Sequence, residues 1–154
     1  MLFNNKIIKK ILNKNITVSV AESCTGGLLA SKFVSTPGIS KVFNMGLIVY
    51  SNTAKSSLLK ISNIKIKKYG AVSKEVCNEM LLSLKKISKS NLCITTTGIA
   101  GPSGGTRDKP VGTVYIGIKY NKKTIIKKSL YSGSRRVVQN KTIKDIFIII
   151  DSLI

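Results

Sequence analysis

Three short β-branched runs, "ITVSVA" (Ile16 to Ala21), "MGLIVY" (Met45 to Tyr50) and "NLCITTTG" (Asn91 to Gly98), alternate with stretches whose apolar residues recur at helical spacing. This alternation constrains the fold more than any other feature. Strands separated by helix-length segments must run parallel, and their helices must cover the sheet. Before the first strand, Phe3, Ile7, Ile8, Ile11 and Leu12 mark an amphipathic helix, and Leu28, Leu29, Phe33 and Val34 mark another after it, which "TPG" (Thr36 to Gly38) stops. The second strand reads as buried. A short helix follows over Asn52 to Leu59, and then a longer one that Ser73 caps, with Val76, Met80, Leu81, Leu84 and Ile87 on its apolar stripe and Glu75 in its positive first turn.

The last third changes rhythm. "VGTVYIGIKY" and "KTIIKKSLY" flank Asn121-Lys122 as a hairpin does, so the sheet is mixed rather than wholly parallel. "SRRVVQNKTIKDIFIIIDSLI" reads as a closing helix from Ser134, although its Ile-rich run suits a buried strand equally well. The expected fold is a three-layer α/β/α domain whose mixed central sheet includes a C-terminal hairpin. With 154 residues, no repeats and no linker, a single domain over 1–154 is expected.

Composition narrows the chemistry. The chain has no histidine, which excludes Ser-His-Asp and Cys-His nucleophile systems and disfavours the usual zinc sites. Of the six acids only Glu22 and Asp108 lie in glycine-rich, loop-like contexts, so carboxylate pairs are scarce. A hydroxyl or thiol nucleophile here must look to lysine for activation. Cys24, Cys77 and Cys93 are odd in number and form no C-x-x-C pair, which fits a reduced cytoplasm rather than a disulfide framework or thiolate metal site. The first residues lack the apolar core of a signal peptide, and "IFIII" is far shorter than the ~20 residues of a membrane span. The formal charge of +20 invites a nucleic-acid reading, but the lysines are spread over the whole chain and only "KISNIKIKK" (Lys60 to Lys68) is dense, which favours solvated lysine faces.

Three motifs carry the candidate chemistry. In "AESCTGGLL" (Ala21 to Leu29) Ser23 or Thr25 suits both a helix cap and a nucleophile, and the turn beside Gly26 and Gly27 offers backbone N–H groups to an anion. "TTTGIAGPSGGT" (Thr95 to Thr106) breaks a strand into a loop with Gly98, Gly101, Gly104 and Gly105, a composition that serves either as a plain turn or as a phosphate cradle. "YSNTAK" (Tyr50 to Lys55) ends a strand and starts a helix; pattern alone would leave Lys55 in water.

In their order, "AESCTGG", "GLIVYSNTAK", "GAVS" and "TGIAGPSGGTRDKPVGTVY" make the chain resemble the C-terminal domain family of the competence- and damage-inducible protein CinA, and within it a stand-alone member with nicotinamide mononucleotide deamidase activity. The resemblance runs from about Thr17 to Val138. It implies an amidohydrolase that converts nicotinamide mononucleotide to nicotinate mononucleotide and ammonia without metal or cofactor. By resemblance Ser23 is the nucleophile and Lys55 its base; Cys24 ranks second as nucleophile, as a buried small hydrophobe. N–H groups of Thr25, Gly26 and Gly27 take up the developing negative charge, and Tyr50, Asn52, Thr97, Gly98, Gly101, Gly104 and Gly105 border the substrate. Arg135, the glycine loop and Lys109 are the candidates for its phosphate. "GSRRVVQ" (Gly133 to Gln139) departs from the family's G-D-R-x-x-V-R element at Ser134 and Gln139, which sets a catalytically weakened nucleotide-binding relative beside the active enzyme as the alternative reading. A homodimer is expected by analogy.

Overall fold

The computed structural model describes the backbone of residues 2–154, with side chains from residue 4 onward. The described elements are helix α1 (Leu2–Asn13), strand β1 (Val18–Glu22), helix α2 (Leu28–Val34), a 3₁₀ turn at Ile39–Lys41, strand β2 (Phe43–Ile48) and helices α3 (Asn52–Leu59), α4 (Asn63–Tyr69) and α5 (Lys74–Ser88). Then follow strands β3 (Leu92–Gly98), β4 (Thr113–Tyr120) and β5 (Lys123–Leu130), and helix α6 (Arg135–Leu153). The sheet order is β2-β1-β3-β4-β5. β1 pairs parallel with β2 and β3, whereas β4 pairs antiparallel with β3 and β5, so the sheet is mixed. The hairpin turns at Asn121, whose φ of 53° is one that asparagine tolerates well.

Side-chain alternation along the strands divides the interior in two. Val18, Val20, Leu92, Ile94, Ile116 and Ile118 join Ile8, Ile11, Leu29, Phe33, Ile146, Phe147 and Ile150 under α1, α2 and α6. On the opposite face Ala21 and Cys93 meet Leu59, Ile66, Val76, Met80, Leu81 and Leu84 of α3, α4 and α5. This is the expected three-layer α/β/α arrangement. Phe33 sits between Phe43 and Phe147, at ring-centroid distances of 5.6 and 5.5 Å. Burying such a side chain contributes roughly 1.5–3 kcal/mol, so this aromatic stack is a main fastening of α2 and α6 to the sheet.

Several expectations need correction. β2 is not a buried strand: it lies at the sheet edge, its residues alternate between half-buried and exposed, and it ends at Ile48. An apolar run does not distinguish a strand covered on both faces from an edge strand covered on one. Val34 and Ile87 point to solvent, at 57% and 44% exposure, because each lies at the end of its helix, where the stripe drifts off the core. α4 forms from the lysine-dense "NIKIKKY", anchored by buried Ile66. The ambiguous C-terminal segment is a helix, with Val138, Thr142, Ile143, Ile146, Phe147 and Ile150 buried along one face. The Phe3 side chain, expected on the first apolar face, falls outside the described residues. No described helix is long and apolar enough to cross a membrane.

Parallel strands β2, β1 and β3 deliver three chain segments to one end of the sheet: Val49-Tyr50, Ser23-Cys24 and Gly98-Ile99. From β1 the chain moves outward to β2 and then crosses back to β3. Ligand crevices of open α/β sheets form at this kind of reversal, beyond the carboxyl ends of the strands.

Candidate active site

Ser23 follows directly on β1 and is held by the neighbouring strand. Its N–H donates to the Thr96 carbonyl at 3.0 Å, extending the β1–β3 ladder past the end of β1. The next turn is closed by Gly26 N–H to Ser23 O and Leu28 N–H to Thr25 O, both 3.1 Å. Neither Ser23 nor Thr25 caps α2. The cap position is Gly27, at φ 95°, and no side chain of that residue type is available to cap; the Glu22 carboxylate serves in its place. Oε2 of Glu22 accepts from the Gly27 and Leu29 amides, both 3.1 Å, and Oε1 accepts from the Ala30 amide at 2.8 Å. Glu22 is wholly buried. A fixed negative charge at the positive end of a helix is favourable, and here it satisfies donors that would otherwise be orphaned.

This arrangement decides which amides of the turn are left unbonded. Gly26 and Gly27 were expected to offer theirs, but both are already bonded. Among the described residues only the Cys24 and Thr25 amides of this turn have no acceptor in the protein. The Thr25 hydroxyl, fully buried, shares a 2.8 Å hydrogen bond with Thr96.

Lys55 reaches the same point from α3. Ser51 caps that helix by accepting from Ala54 N–H at 2.9 Å, which fixes the first turn and points Lys55 inward. Contrary to the pattern-based expectation of a lysine in water, its side chain is only 1% exposed. Nζ lies 3.0 Å from Ser23 Oγ, 2.9 Å from the Val49 carbonyl and 3.2 Å from the Tyr50 carbonyl. No carboxylate pairs with it among the described residues. Burial without a counter-ion disfavours the ammonium form and holds the amine below the ordinary lysine value. A neutral amine has two N–H donors and one lone pair. Two carbonyls and one hydroxyl satisfy the three donors of the ammonium, and in the neutral form the carbonyls keep both N–H groups while the lone pair is left to accept the Ser23 proton.

Cys24 is adjacent but chemically quiet: burial pushes its thiol up to about 12, and the side chain is 4% exposed. Cys77, fully buried, is also pushed up to about 12, and Cys93 is raised by burial too. Thiolates, not thiols, react with alkylating agents. The native protein is therefore expected to resist iodoacetamide at pH 8, while the denatured chain takes up label at Cys24, Cys77 and Cys93, as mass spectrometry would read. Fast native labelling of Cys24 would restore it as a rival to Ser23.

The cavity around this pair has a volume of about 250 Å³. Of the residues proposed from sequence, Ser23, Cys24, Lys55, Tyr50, Asn52, Thr97, Gly98, Gly101, Gly104 and Arg135 line it. Thr25, Gly26, Gly27 and Gly105 do not. Sequence reasoning had assigned no role to the lining residues Ala71, Val72, Ile99, Ala100 and Ser103. All five lie within the motifs "GAVS" and "TGIAGPSGG", as small or apolar residues whose type alone carries no chemical signal.

The glycine loop has backbone to spare. Ile99 N–H and Thr106 N–H are bonded to Thr113 and Lys109 carbonyls, but the amides of Ala100, Gly101, Ser103, Gly104 and Gly105 have no protein acceptor among the described residues. Gly101 has φ 90°, and a Cβ there would come within 2.6 Å of Val111, so only glycine fits this bend. Arg135, at the start of α6, spans the mouth: Nη1 donates to the Gly101 carbonyl at 2.9 Å and Nη2 to the Tyr50 hydroxyl at 2.7 Å. Lys109, a candidate for the phosphate, does not line the cavity; its ammonium donates to the Tyr69 carbonyl at 2.8 Å, at the end of α4. Thr97 donates its hydroxyl to the Ala71 carbonyl at 2.8 Å, tying β3 to the loop before α5. No group of His, Cys, Asp or Glu residues able to hold a metal ion occurs among the described residues.

The family model of the CinA C-terminal domain matches residues 2–154. A Clostridium botulinum (strain Loch Maree / Type A3) protein that bears the competence-damage inducible name is 50% identical over 137 residues, which cover 89% of this chain and 34% of the relative. A namesake from Thermoanaerobacter pseudethanolicus is 45% identical over 139 residues, 90% of this chain and 34% of its own. The chain thus spans about a third of the length of these curated relatives. Among solved structures, the competence/damage inducible protein CihA of Agrobacterium tumefaciens superposes with a TM-score of 0.92 at 29% identity, covering 98% of this chain and 95% of that one. A CinA superfamily protein of Enterobacter cloacae gives 0.90 at 28% identity, covering 98% and 92%.

Proposed function

The chain belongs to the CinA C-terminal domain family, and from that premise we propose that it is an amidohydrolase converting nicotinamide mononucleotide and water to nicotinate mononucleotide and ammonia. The observation that carries the reading is a buried lysine amine, unpaired with any carboxylate, 3.0 Å from a serine hydroxyl at the floor of a cleft. Such a pair generates a nucleophile without histidine.

The proposed sequence of events follows from the geometry. Neutral Lys55 takes the Ser23 proton as Oγ bonds to the carboxamide carbon, whose electrophilicity the pyridinium ring raises. The negative charge on the former carbonyl oxygen falls to the free amide of Cys24, which lines the cleft next to the nucleophile. As the C–N bond breaks, the Lys55 ammonium returns its proton to the nitrogen and ammonia departs. Water, deprotonated by Lys55, then cleaves the ester to release nicotinate mononucleotide. No step calls for a metal or an organic cofactor.

The phosphate is assigned to the far side of the cleft. There the free loop amides, the first turn of α6 and the Arg135 guanidinium concentrate positive potential. The α6 cap residue, Ser134, makes no side-chain cap bond, which leaves that turn's amides to a ligand or water.

The test is direct. The protein is incubated with nicotinamide mononucleotide, and ammonia and nicotinate mononucleotide are assayed together. Equimolar release supports the reading; a protein that retains its fold and releases neither product sinks it.

A further inference from the structure

The two edges of the sheet differ in how they meet solvent. Strand β5, at one edge, carries Lys123, Lys127 and Lys128, all exposed, and charged side chains of this kind keep an open edge from pairing with another chain. Strand β2, at the other edge, reads "FNMGLI" and has neither a charge nor a proline. Its one irregularity is a bulge at Asn44, which leaves Met45 to Ile48 in regular register with β1. The Val49 N–H donates to the Glu22 carbonyl of β1, so by strand alternation Gly46 and Ile48 turn their N–H and C=O groups outward. Among the described residues no strand pairs with them.

The surroundings of β2 are equally bare of charge. From Phe33 to Ala54 the chain has no acid and one cation, Lys41, although 26 of the 154 residues are Lys or Arg. Beside the start of β2 lies a groove of about 390 Å³, lined by Val34, Pro37, Ile39 and Phe43 with small neutral residues between them. Val34 and Ile48 are each more than half exposed. Depletion of charge around exposed apolar groups is the composition of an interface core. We infer that β2 pairs antiparallel with β2 of a second copy of this chain across a two-fold axis, with the Val34–Phe43 groove packed beside it. The charge pattern selects a copy of the same chain. Two molecules of formal charge +20 repel wherever lysines face each other, and this window is where they approach without that cost. An acidic partner is drawn to the lysine-bearing faces instead. The two-fold axis makes the contact isologous and closes it at two chains, so the open edge does not propagate into a fibre.

Sedimentation of the full chain, with amide hydrogen exchange followed alongside, tests this contact. The wild type is expected to sediment at twice the monomer mass of 16.7 kDa. Association should strengthen about tenfold between roughly 50 and 500 mM salt, because screening relieves the repulsion between copies. Exchange at the Gly46 and Ile48 amides should slow by about tenfold or more from dilute to concentrated protein. Ile48→Lys and Val34→Lys each set a cation into the contact surface of both copies and are expected to weaken association by about 30-fold or more. Leu130→Lys adds the same charge to an exposed position of β5 and leaves association unchanged. Melting temperatures identify a variant that fails to fold; if Ile48→Lys does so, Val34→Lys decides. A wild type that stays monomeric at every concentration leaves the edge to a different partner and overturns the proposal. A dimer indifferent to the folded lysine variants, or one that forms without protecting the Gly46 and Ile48 amides, overturns it as well.

Discussion

Ser23→Ala is expected to reduce ammonia release from nicotinamide mononucleotide by about 10⁴-fold or more, the scale on which enzymes lose rate when a covalent nucleophile is removed. The melting temperature should barely move. Ser23 is 7% exposed and Oγ contacts Lys55 Nζ, but its backbone amide, which holds the turn to β3, is untouched by the substitution. Lys55→Met is expected to cause a comparable loss, and the double variant little more than either single one, since the two groups act as a unit. Activity persisting in folded Ser23→Ala would transfer the nucleophile's role elsewhere.

Lys55 also predicts a pH signature. Only the neutral amine accepts the proton, so kcat/KM should rise with pH through the Lys55 value, which burial places below the ordinary 10.5. Stability follows the same sign. Between the lowered folded value and 10.5 the unfolded chain binds a proton that the folded chain does not, so stability rises with pH across that window. Below the folded value both states are protonated, and the full cost of burying the charge is present. Lys55→Met should flatten this part of the stability profile, which thermal melts at stepped pH would reveal.

How far these features were legible in the sequence depends on whether local pattern or tertiary contact sets them. The boundaries of α3, the Ser73 cap of α5 and the hairpin at Asn121 follow from residues close in the chain, and the sequence predicts each. The edge position of β2 is set by strand order, which no window of residues encodes. The same holds for Lys55. Its surroundings in "YSNTAK" are those of an exposed helix start, and only β1, brought alongside β2, places Ser23 over its amine. Family resemblance supplied that pairing where pattern favoured water. The capping of α2 failed for a different reason: sequence rules favour Ser or Thr near a helix start, but a carboxylate at the end of the preceding strand reached the donors first. Gln139 was visible as a departure from the family element, yet its partner Cys24 is 115 residues away.

Glu22 is the residue on which the site's framework most depends, and Glu22→Ala is expected to destabilise the fold by about 3–5 kcal/mol. The carboxylate is wholly buried and receives the Gly27, Leu29 and Ala30 amides. Alanine would leave those donors without a partner, at roughly 1–3 kcal/mol for each that water fails to reach. For a chain of this length each kcal/mol lowers the melting temperature by about 2–4 °C, so a fall on the order of 10 °C is expected. Glu22→Gln separates charge from shape: it keeps one acceptor oxygen but sets an NH₂ group against at least one amide N–H, for an intermediate loss of about 1–2 kcal/mol. Both variants should lose activity beyond what their folded fraction explains, because Ser23 is the next residue and α2 anchors the far end of its turn. Calorimetry with turnover measured well below the melting transition checks the two effects separately. If Glu22→Ala melts with the wild type, the carboxylate is not what holds α2 to the end of β1, and the case for a preset turn behind the nucleophile fails with it.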